Sequence, residues 1–395
     1  MKYDFETIVN RSELYSRKWE RMNKSEHVRD LPPFSVADLD FNYPPQVIAG
    51  FKEYASEMIF GYSRPNAAYY QSFIDWCERR LDYRVERDWI LDGNGVVPAI
   101  YTAILAYSEE DDGVMIMTPV YPPFAQMVND TKRKLIVMPL INNDYHYEID
   151  LEQLEAQAKK ADTKLLVFCS PHNPVGRVWT KAELLEVDRI CAENNVIVIS
   201  DEIHMDLILE GHKHHVFSTI SDRAQNNSLI LTSASKTFNI AGAQTSMTII
   251  ASEDLRNKFQ AVLDRTAFFG INAFGFKLAE LSYNLAEDWL DELLELISSN
   301  HKYLYNYINE QIEGLRAIPL EGTYLQWIDF SGLNMADDEL FDFVFEKTGL
   351  FLTPGLGYGE GGSQFLRWNI ATPRKVMEKG LEQLKLAVDE FISSN

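Results

Sequence analysis

Cysteine is scarce in this chain. Cys77, Cys169 and Cys191 are scattered through 395 residues without a C-x-x-C pair, which excludes a disulfide scaffold and suits a reducing cytoplasm. Basic residues are also few: 37 Lys and Arg stand against 59 Asp and Glu, for a formal net charge of −22. With no basic stripe, nucleic-acid binding is not expected, and the charge gives no attraction to an anionic membrane surface. No run of about 20 apolar residues is present to span a bilayer. The opening MKYDFETIVNRSELYSRKW has no apolar core, so no signal peptide is expected. Repeats and low-complexity linkers are missing as well. What the chain does have is core material, with 46% hydrophobic and 12% aromatic residues. Its length suits two or three domains, or one large α/β domain with an appendage.

Short apolar runs alternate with amphipathic stretches in the middle of the chain. Val114–Thr118, Lys134–Met138, Leu165–Cys169, Val196–Ser200, Leu229–Thr232 and Met247–Ile250 read as strands, and their near-continuous hydrophobicity suits burial on both faces. Helical segments lie between several of them, such as Lys181–Asn194, where Leu184, Val187 and Cys191 share a face. The pattern predicts an α/β fold with a mostly parallel central sheet flanked by helices. Closely spaced runs leave room for one antiparallel strand. After about Phe276 the texture changes. Lys277–Ile312 reads as one or two helices, Thr323–Phe330 as a strand and Asp337–Thr348 as a helix. A Gly-rich loop (Gly355–Gly362), the strand-like Gln364–Ala371 and a last helix follow. These shorter elements predict a smaller α+β domain, formed by residues 285–395 with residues 1–45, beside a large domain spanning 46–284.

Ligands of a doubly wound sheet bind at the carboxyl ends of its strands, so the residues after each run matter most. Lys236 follows Leu229–Thr232 in Thr232-Ser-Ala-Ser-Lys236. Lysine is rarely buried, yet its amine bonds a carbonyl cofactor once its pKa is lowered, and Ser233 and Ser235 are able to hold a phosphate. Read alone, the segment is equally a surface lysine in a Ser/Thr loop. Asp201 ends another run, where its carboxylate would pair with a pyridinium N–H or cap a helix. Asn173, in Ser170-Pro-His-Asn-Pro-Val-Gly176, is presented by a rigid turn. Asp92-Gly-Asn-Gly-Val-Val97 leads a short strand into an apolar helix, a start that offers free N–H groups to an anion. In Phe365–Ala371, Leu366, Trp368 and Ile370 share one face and Arg367 takes the other.

Together, S-P-H-N-P-V-G (170–176), S-D-E-I-H (200–204), T-S-A-S-K (232–236) and F-L-R-W-N (365–369) resemble fold-type I pyridoxal 5′-phosphate (PLP) enzymes, the aspartate-aminotransferase superfamily, across essentially the whole chain. The resemblance implies that Lys236 forms the Schiff base and Asp201 pairs with the pyridine nitrogen. It further implies that Asn173 contacts the phenolic oxygen and the substrate, and that Tyr121 stacks on the ring. Ser233, Ser235 and the amides near Gly95 and Val96 would hold the phosphate, and Arg367 would take the substrate α-carboxylate as a fork. Two positions depart from many aminotransferases. Gln244 stands where an arginine binds phosphate, and His204 where a tyrosine bonds the phenolic oxygen; His204 reads first as a packed histidine.

Val36-Ala-Asp-Leu-Asp-Phe41, Phe60-Gly-Tyr-Ser-Arg-Pro65 and Asn369-Ile-Ala-Thr-Pro-Arg374 are similar to the cysteine-S-conjugate β-lyase (cystathionine β-lyase) subgroup, which shares both departures. That likeness implies β-elimination from L-cystathionine, L-cysteine or S-substituted cysteines, with Lys236 as the Cα base and Tyr121 or Tyr62 as candidates to protonate the leaving sulfur. It also implies a homodimer in which Tyr62 reaches the neighbouring subunit's phosphate. An aminotransferase on the same scaffold is the alternative, and a non-catalytic regulatory role is a third reading, opposed by intact Lys236, Asp201 and Arg367. Two further patterns carry no function. Gly357-x-Gly359-x-x-Gly362 precedes a strand instead of opening a helix, and His212-Lys-His-His215 reads as a surface loop.

Overall fold

The computed structural model describes residues 2–23, 31–59 and 61–394. Phe60 of the Phe60–Pro65 motif, and residues 1, 24–30 and 395 of the expected small domain, lie outside the described residues. The apolar runs form a seven-stranded sheet from β1 (Ile90–Gly93), β2 (Gly113–Thr118), β3 (Lys134–Pro139), β4 (Thr163–Cys169), β5 (Ile197–Asp201), β6 (Ser228–Thr232) and β7 (Ser246–Ile249). Its order is β1-β7-β6-β5-β4-β2-β3. Every pairing is parallel except those of β7, which runs antiparallel to both β1 and β6. This is the single reversed strand for which the spacing left room.

Side-chain alternation sorts each strand between two cores. Leu165 and Val167 of β4 join Ile100, Phe124 and Phe259 from the helices Val96–Tyr107, Pro123–Asp130 and Glu253–Arg265. Leu166 and Phe168 turn to the other side, among Trp179, Val198 and Ile230. Because both faces are covered, the inner strands show near-continuous hydrophobic runs, with polar side chains such as Thr163, Asp201, Ser228 and Thr232 at their ends.

A second, four-stranded sheet joins β8 (Arg316–Ala317), β9 (Leu325–Asp329), β10 (Thr353–Pro354) and β11 (Phe365–Asn369) in the antiparallel order β8-β9-β11-β10. The stretch 277–312 resolves into two helices, Ala273–Leu285 and Glu287–Gln311, separated at Ala286. Glu287 and Asp288 fill the first turn of the second helix, where negative charge is favoured by the helix dipole. Asp337–Thr348 is a helix with the expected limits. The Gly-rich stretch is a short turn, Gly355–Tyr358, ahead of β11. The surface-loop reading of residues 212–215 is corrected at His214, which is buried with Nε2 2.8 Å from Glu202. Glu202 is itself fully buried, so its carboxylate needs donors. Ser200 Oγ, His214 and the Phe217 amide supply them. Among the described residues, no cluster suited to a metal ion occurs, and no helix is long and apolar enough to cross a membrane.

The segment Phe34–Asp40 ties the two sheets together. The Phe34 carbonyl accepts from the Asn369 amide at 3.0 Å, and the Asn369 side chain donates to Val36 and Asp38 carbonyls at 2.8 and 2.7 Å. On the other side, Asn239 holds Leu39 through both its N–H and its C=O, at 2.9 and 2.8 Å. A cluster of four charges anchors the segment. Arg11 bridges Asp38 and Asp40 at 2.7 and 3.2 Å, and Lys18, 3% exposed, sits 2.8 Å from Asp40. Breaking a buried ion pair leaves a buried charge uncompensated. Asp40→Ala is therefore expected to destabilise the fold by about 3 kcal/mol, measured as a lower denaturant midpoint than wild type.

Candidate active site

The carboxyl ends of β1, β2, β4, β5 and β6 open on a cavity of about 450 Å³. It brings together Gly95, Val96, Tyr121, Asn173, Asp201, Lys236 and Arg367. Each follows or ends a strand of the main sheet, except Arg367, which enters from the second sheet.

Lys236 lies in a short helical turn, Ala234–Thr237, just after β6. Its Nζ donates to the Ala37 carbonyl at 2.7 Å. Burial lowers its pKa to about 8; Asp38 and Asp201 oppose that shift, and Arg367 adds to it. A lysine near 8 is neutral often enough at physiological pH to attack an aldehyde or take a proton, which an ordinary surface lysine is not.

Asp201 is the last residue of β5 and 6% exposed. Its Oδ1 accepts from the Ile203 amide at 3.1 Å, and it forms no ion pair within the described residues. Burial raises its pKa to about 7, and nearby Glu202 adds to this; the Ile203 amide and Lys236 act in the opposite sense. Such a carboxylate is poised for a cationic N–H partner, which would hold it ionised. His204 lies beside it, buried and edge-on to Tyr324 at 6.1 Å. Burial and the charges of Lys236 and Arg367 keep the ring neutral. The packed-histidine reading describes its surroundings, but His204 also lines the cavity, and its Nδ1 has no partner.

Arg367 projects from the centre of β11, opposite Trp327 in β9 and Thr353 in β10. Leu366, Trp368 and Ile370 fill the core behind it. Arg367 is 5% exposed; one terminal nitrogen donates to Asn173 Oδ1 at 2.9 Å and the other to the Ser35 carbonyl at 2.8 Å. Its Nε is buried without an acceptor. The guanidinium therefore has a donor to spare, directed at no protein oxygen. Tyr121 follows β2, its ring edge-on to Phe124 at 6.0 Å. Burial and Asp201 raise its pKa, so the hydroxyl keeps its proton.

At the opposite side of the cavity the helix Val96–Tyr107 begins. Gly95 is its N-cap, with φ 149°, and its amide donates to Ser246 Oγ at 3.1 Å. The unpaired amides of the first turn and the helix dipole make this end an anion site, and a side chain at Gly95 would press on Pro98 at 3.3 Å. Three expected contributors do not line the cavity. Ser233 is buried, with its hydroxyl committed to the Thr245 carbonyl and the Ser235 amide. Ser235 lies one residue before Lys236, half-buried. Tyr62 is fully exposed. Gln244 is exposed as well, in a left-handed turn at φ 50°.

The donor set fits a pyridine-aldehyde phosphate. A lysine amine is available for the aldehyde, an under-partnered buried carboxylate for the ring N–H, and a helix terminus for the phosphate. The orphaned Arg367 Nε remains for a carboxylate. Several cavity residues carried no signal in the reading of the sequence: Arg17, Tyr358 and the backbone of Ser35–Ala37. The Val36–Phe41 motif marked that last stretch, but only as a family likeness.

The aminotransferase class I and II family model matches residues 30–384. Cystathionine beta-lyase PatB of Bacillus subtilis (strain 168) is 36% identical over 385 residues, covering 98% of this chain and 100% of that protein. The structure of cystalysin from Treponema denticola, which contains pyridoxal 5′-phosphate, is similar with a TM-score of 0.95 and 38% identity, over 99% of this chain and 100% of that one. A PLP-bound C-S lyase from Staphylococcus hominis, complexed with L-cycloserine, has a TM-score of 0.91 and 28% identity, over 98% of each chain. With the match extending from the ion-paired amino-terminal segment to the last helix, this chain belongs to the aminotransferase class I and II family.

Proposed function

We propose that this chain is a PLP-dependent carbon–sulfur β-lyase that converts L-cystathionine, L-cysteine or S-substituted cysteines to pyruvate, ammonia and a thiol or sulfide. The observation that carries this reading is the convergence of the Lys236 amine, the Asp201 carboxylate and the Arg367 guanidinium on one cavity. The end-to-end likeness to a protein named cystathionine beta-lyase favours elimination over amino transfer.

In this reading Lys236 holds the cofactor aldehyde, Asp201 keeps the ring nitrogen protonated and Asn173 meets the phenolic oxygen. Tyr121 covers the ring; the phosphate would fall to the amide at Val96, to that at Gly95 once it turns from Ser246 Oγ, and to Ser235 from beside the cavity, its own amide braced by Ser233. When bound, PLP supplies the electron sink for the charge left at Cα. Arg367 holds the substrate α-carboxylate with Nε and one terminal nitrogen, which orients the Cα–H bond. Lys236, displaced by the substrate amine, takes the Cα proton. The electron pair left at Cα would then form a Cα–Cβ double bond as the Cβ–S bond breaks, its pair leaving with the sulfur, to which Tyr121, kept protonated by burial, would donate. Hydrolysis of the remaining fragment gives pyruvate and ammonia. The same reading divides the chain into a large domain (46–284) and a small one (1–45 with 285–395), and assigns it to the cytoplasm. It also assigns a two-fold homodimer, with exposed Tyr62 and Ile59 at the subunit contact and Tyr62 directed to the neighbour's phosphate.

The aminotransferase alternative rests on the family model itself. Incubation of purified holoenzyme with L-cystathionine and no keto acid separates the two: pyruvate and thiol are expected, and amino transfer to an added keto acid without them would sink the lyase reading. Lys236→Ala is expected to remove the absorbance band that the cofactor owes to its bond with the lysine and to cut elimination at least about 10²-fold, while Arg367→Ala should mainly raise KM. Because burial puts Lys236 near 8, apoenzyme loading has a definite pH dependence. Below that value the amine is an unreactive ammonium; above it the amine is free. The rate of PLP incorporation, followed by absorbance, is expected to rise with pH with a midpoint near 8. A midpoint near the ordinary lysine value would contradict the assigned environment.

A further inference from the structure

The functional assignment leaves one cation of the cavity without a task. Arg17 opens the short helix Arg17–Asn23 and lines the same cavity as Lys236 and Arg367, but from the solvent side. Its neighbours in sequence are committed: Arg11 and Lys18 are ion-paired with Asp38 and Asp40. No carboxylate among the described residues pairs with Arg17, and the cavity it lines also has uncharged Val36, Val97, Pro98, Pro122 and Pro123 in its wall. An arginine at the exposed edge of a cleft, paired with no carboxylate among the described residues, attracts an anionic group of whatever enters. Arg17 and Arg367 both act on the Tyr121 hydroxyl, in the same direction, so the tyrosine lies within reach of both charges.

These positions define a path through the site. If the α-carboxylate rests on Arg367 and Lys236 takes the Cα proton, as the lyase reading requires, the sulfur would fall toward Tyr121, which lines the same cavity. The group beyond the sulfur then leads outward to the mouth. Resting on the C–S lyase reading, we infer that Arg17 is a specificity-determining residue that binds a carboxylate carried by the sulfur substituent. It would thereby favour thioethers of the L-cystathionine type over S-alkyl cysteines. An arginine suits this task because its planar fork meets a carboxylate with two parallel donors. Its exposed position limits the gain to about tenfold, the lower end for a charge-assisted hydrogen bond.

The test compares kcat/KM for L-cystathionine and S-methyl-L-cysteine in wild-type holoenzyme, Arg17→Gln and Arg17→Lys. The ratio of the two constants is expected to fall about tenfold in Arg17→Gln, through KM more than kcat, and to recover in part in Arg17→Lys. A second readout needs no turnover. Suberate separates its carboxylates by as many chain atoms as L-cystathionine does, and octanoate is its single-carboxylate counterpart. Calorimetric affinity of the holoenzyme for suberate relative to octanoate should drop by a similar factor in Arg17→Gln. Unchanged ratios in both measurements would overturn the inference. If wild type eliminates neither thioether, the lyase reading fails instead, and the suberate comparison still decides whether Arg17 holds a second carboxylate.

Discussion

A run of backbone carbonyl oxygens, from Phe34 to Leu39, is the constraint on which the site depends. Ser35 O accepts from Arg367 and Thr353, Ala37 O from Lys236 and Tyr324, and Leu39 O from Arg11 and Asn239. These donors come from both sheets and from the amino-terminal segment. A buried arginine or lysine without acceptors would be expensive, and a side chain as long as either would otherwise wander among rotamers. The carbonyl row removes both problems by giving each cation a fixed oxygen. The row itself stays in place because Asp38 and Asp40 are gripped by Arg11 and Lys18.

The charge arrangement then follows from depth. Asp201 and His204 are buried and Lys236 half-buried at the cavity, and burial shifts each toward its neutral form. The three are therefore sensitive to any charge brought into the cavity. A protonated ring nitrogen beside Asp201 would restore the carboxylate, while neutral His204 adds no cation to compete for it. Arg367 keeps its charge under the same burial because guanidinium does not deprotonate in proteins. The site thus has one permanent cation in its depth and one adjustable amine, in a chain whose net charge is strongly negative.

The main sheet was legible in the sequence because strands covered on both faces show unbroken apolar runs, and Leu165–Cys169 or Leu229–Thr232 admit no other simple reading. The residues of the cavity were legible for a related reason. A lysine, an aspartate and an asparagine at successive strand ends have no packing role to account for them. Less could be read where function or structure runs through groups without a residue signature. The carbonyls of Ser35 and Ala37 would serve equally from other side chains, so the sequence marks the segment but not its task. Ser233 carries a hydroxyl suited to phosphate, yet its partners are a carbonyl and an amide. His214 sits in a polar stretch that reads as surface, and only the buried carboxylate of Glu202 explains its inward turn. Arg17 stands in no motif at all; its relevance comes from the folding of the amino-terminal segment across the cavity.

Cys169 ends β4 and lines the cavity, where its sulfur takes the Asn173 amide at 3.5 Å and donates to the Pro171 carbonyl at 3.3 Å. Burial raises its pKa, as it does for Cys77 and Cys191. Disulfide exchange requires a thiolate as the attacking group. A small-molecule disulfide, the oxidised partner that such an exchange needs, would cap a cysteine that was held as a thiolate. Here all three sulfurs are buried and burial opposes their ionisation, so the chain offers no ready thiolate to a disulfide that reaches the cavity.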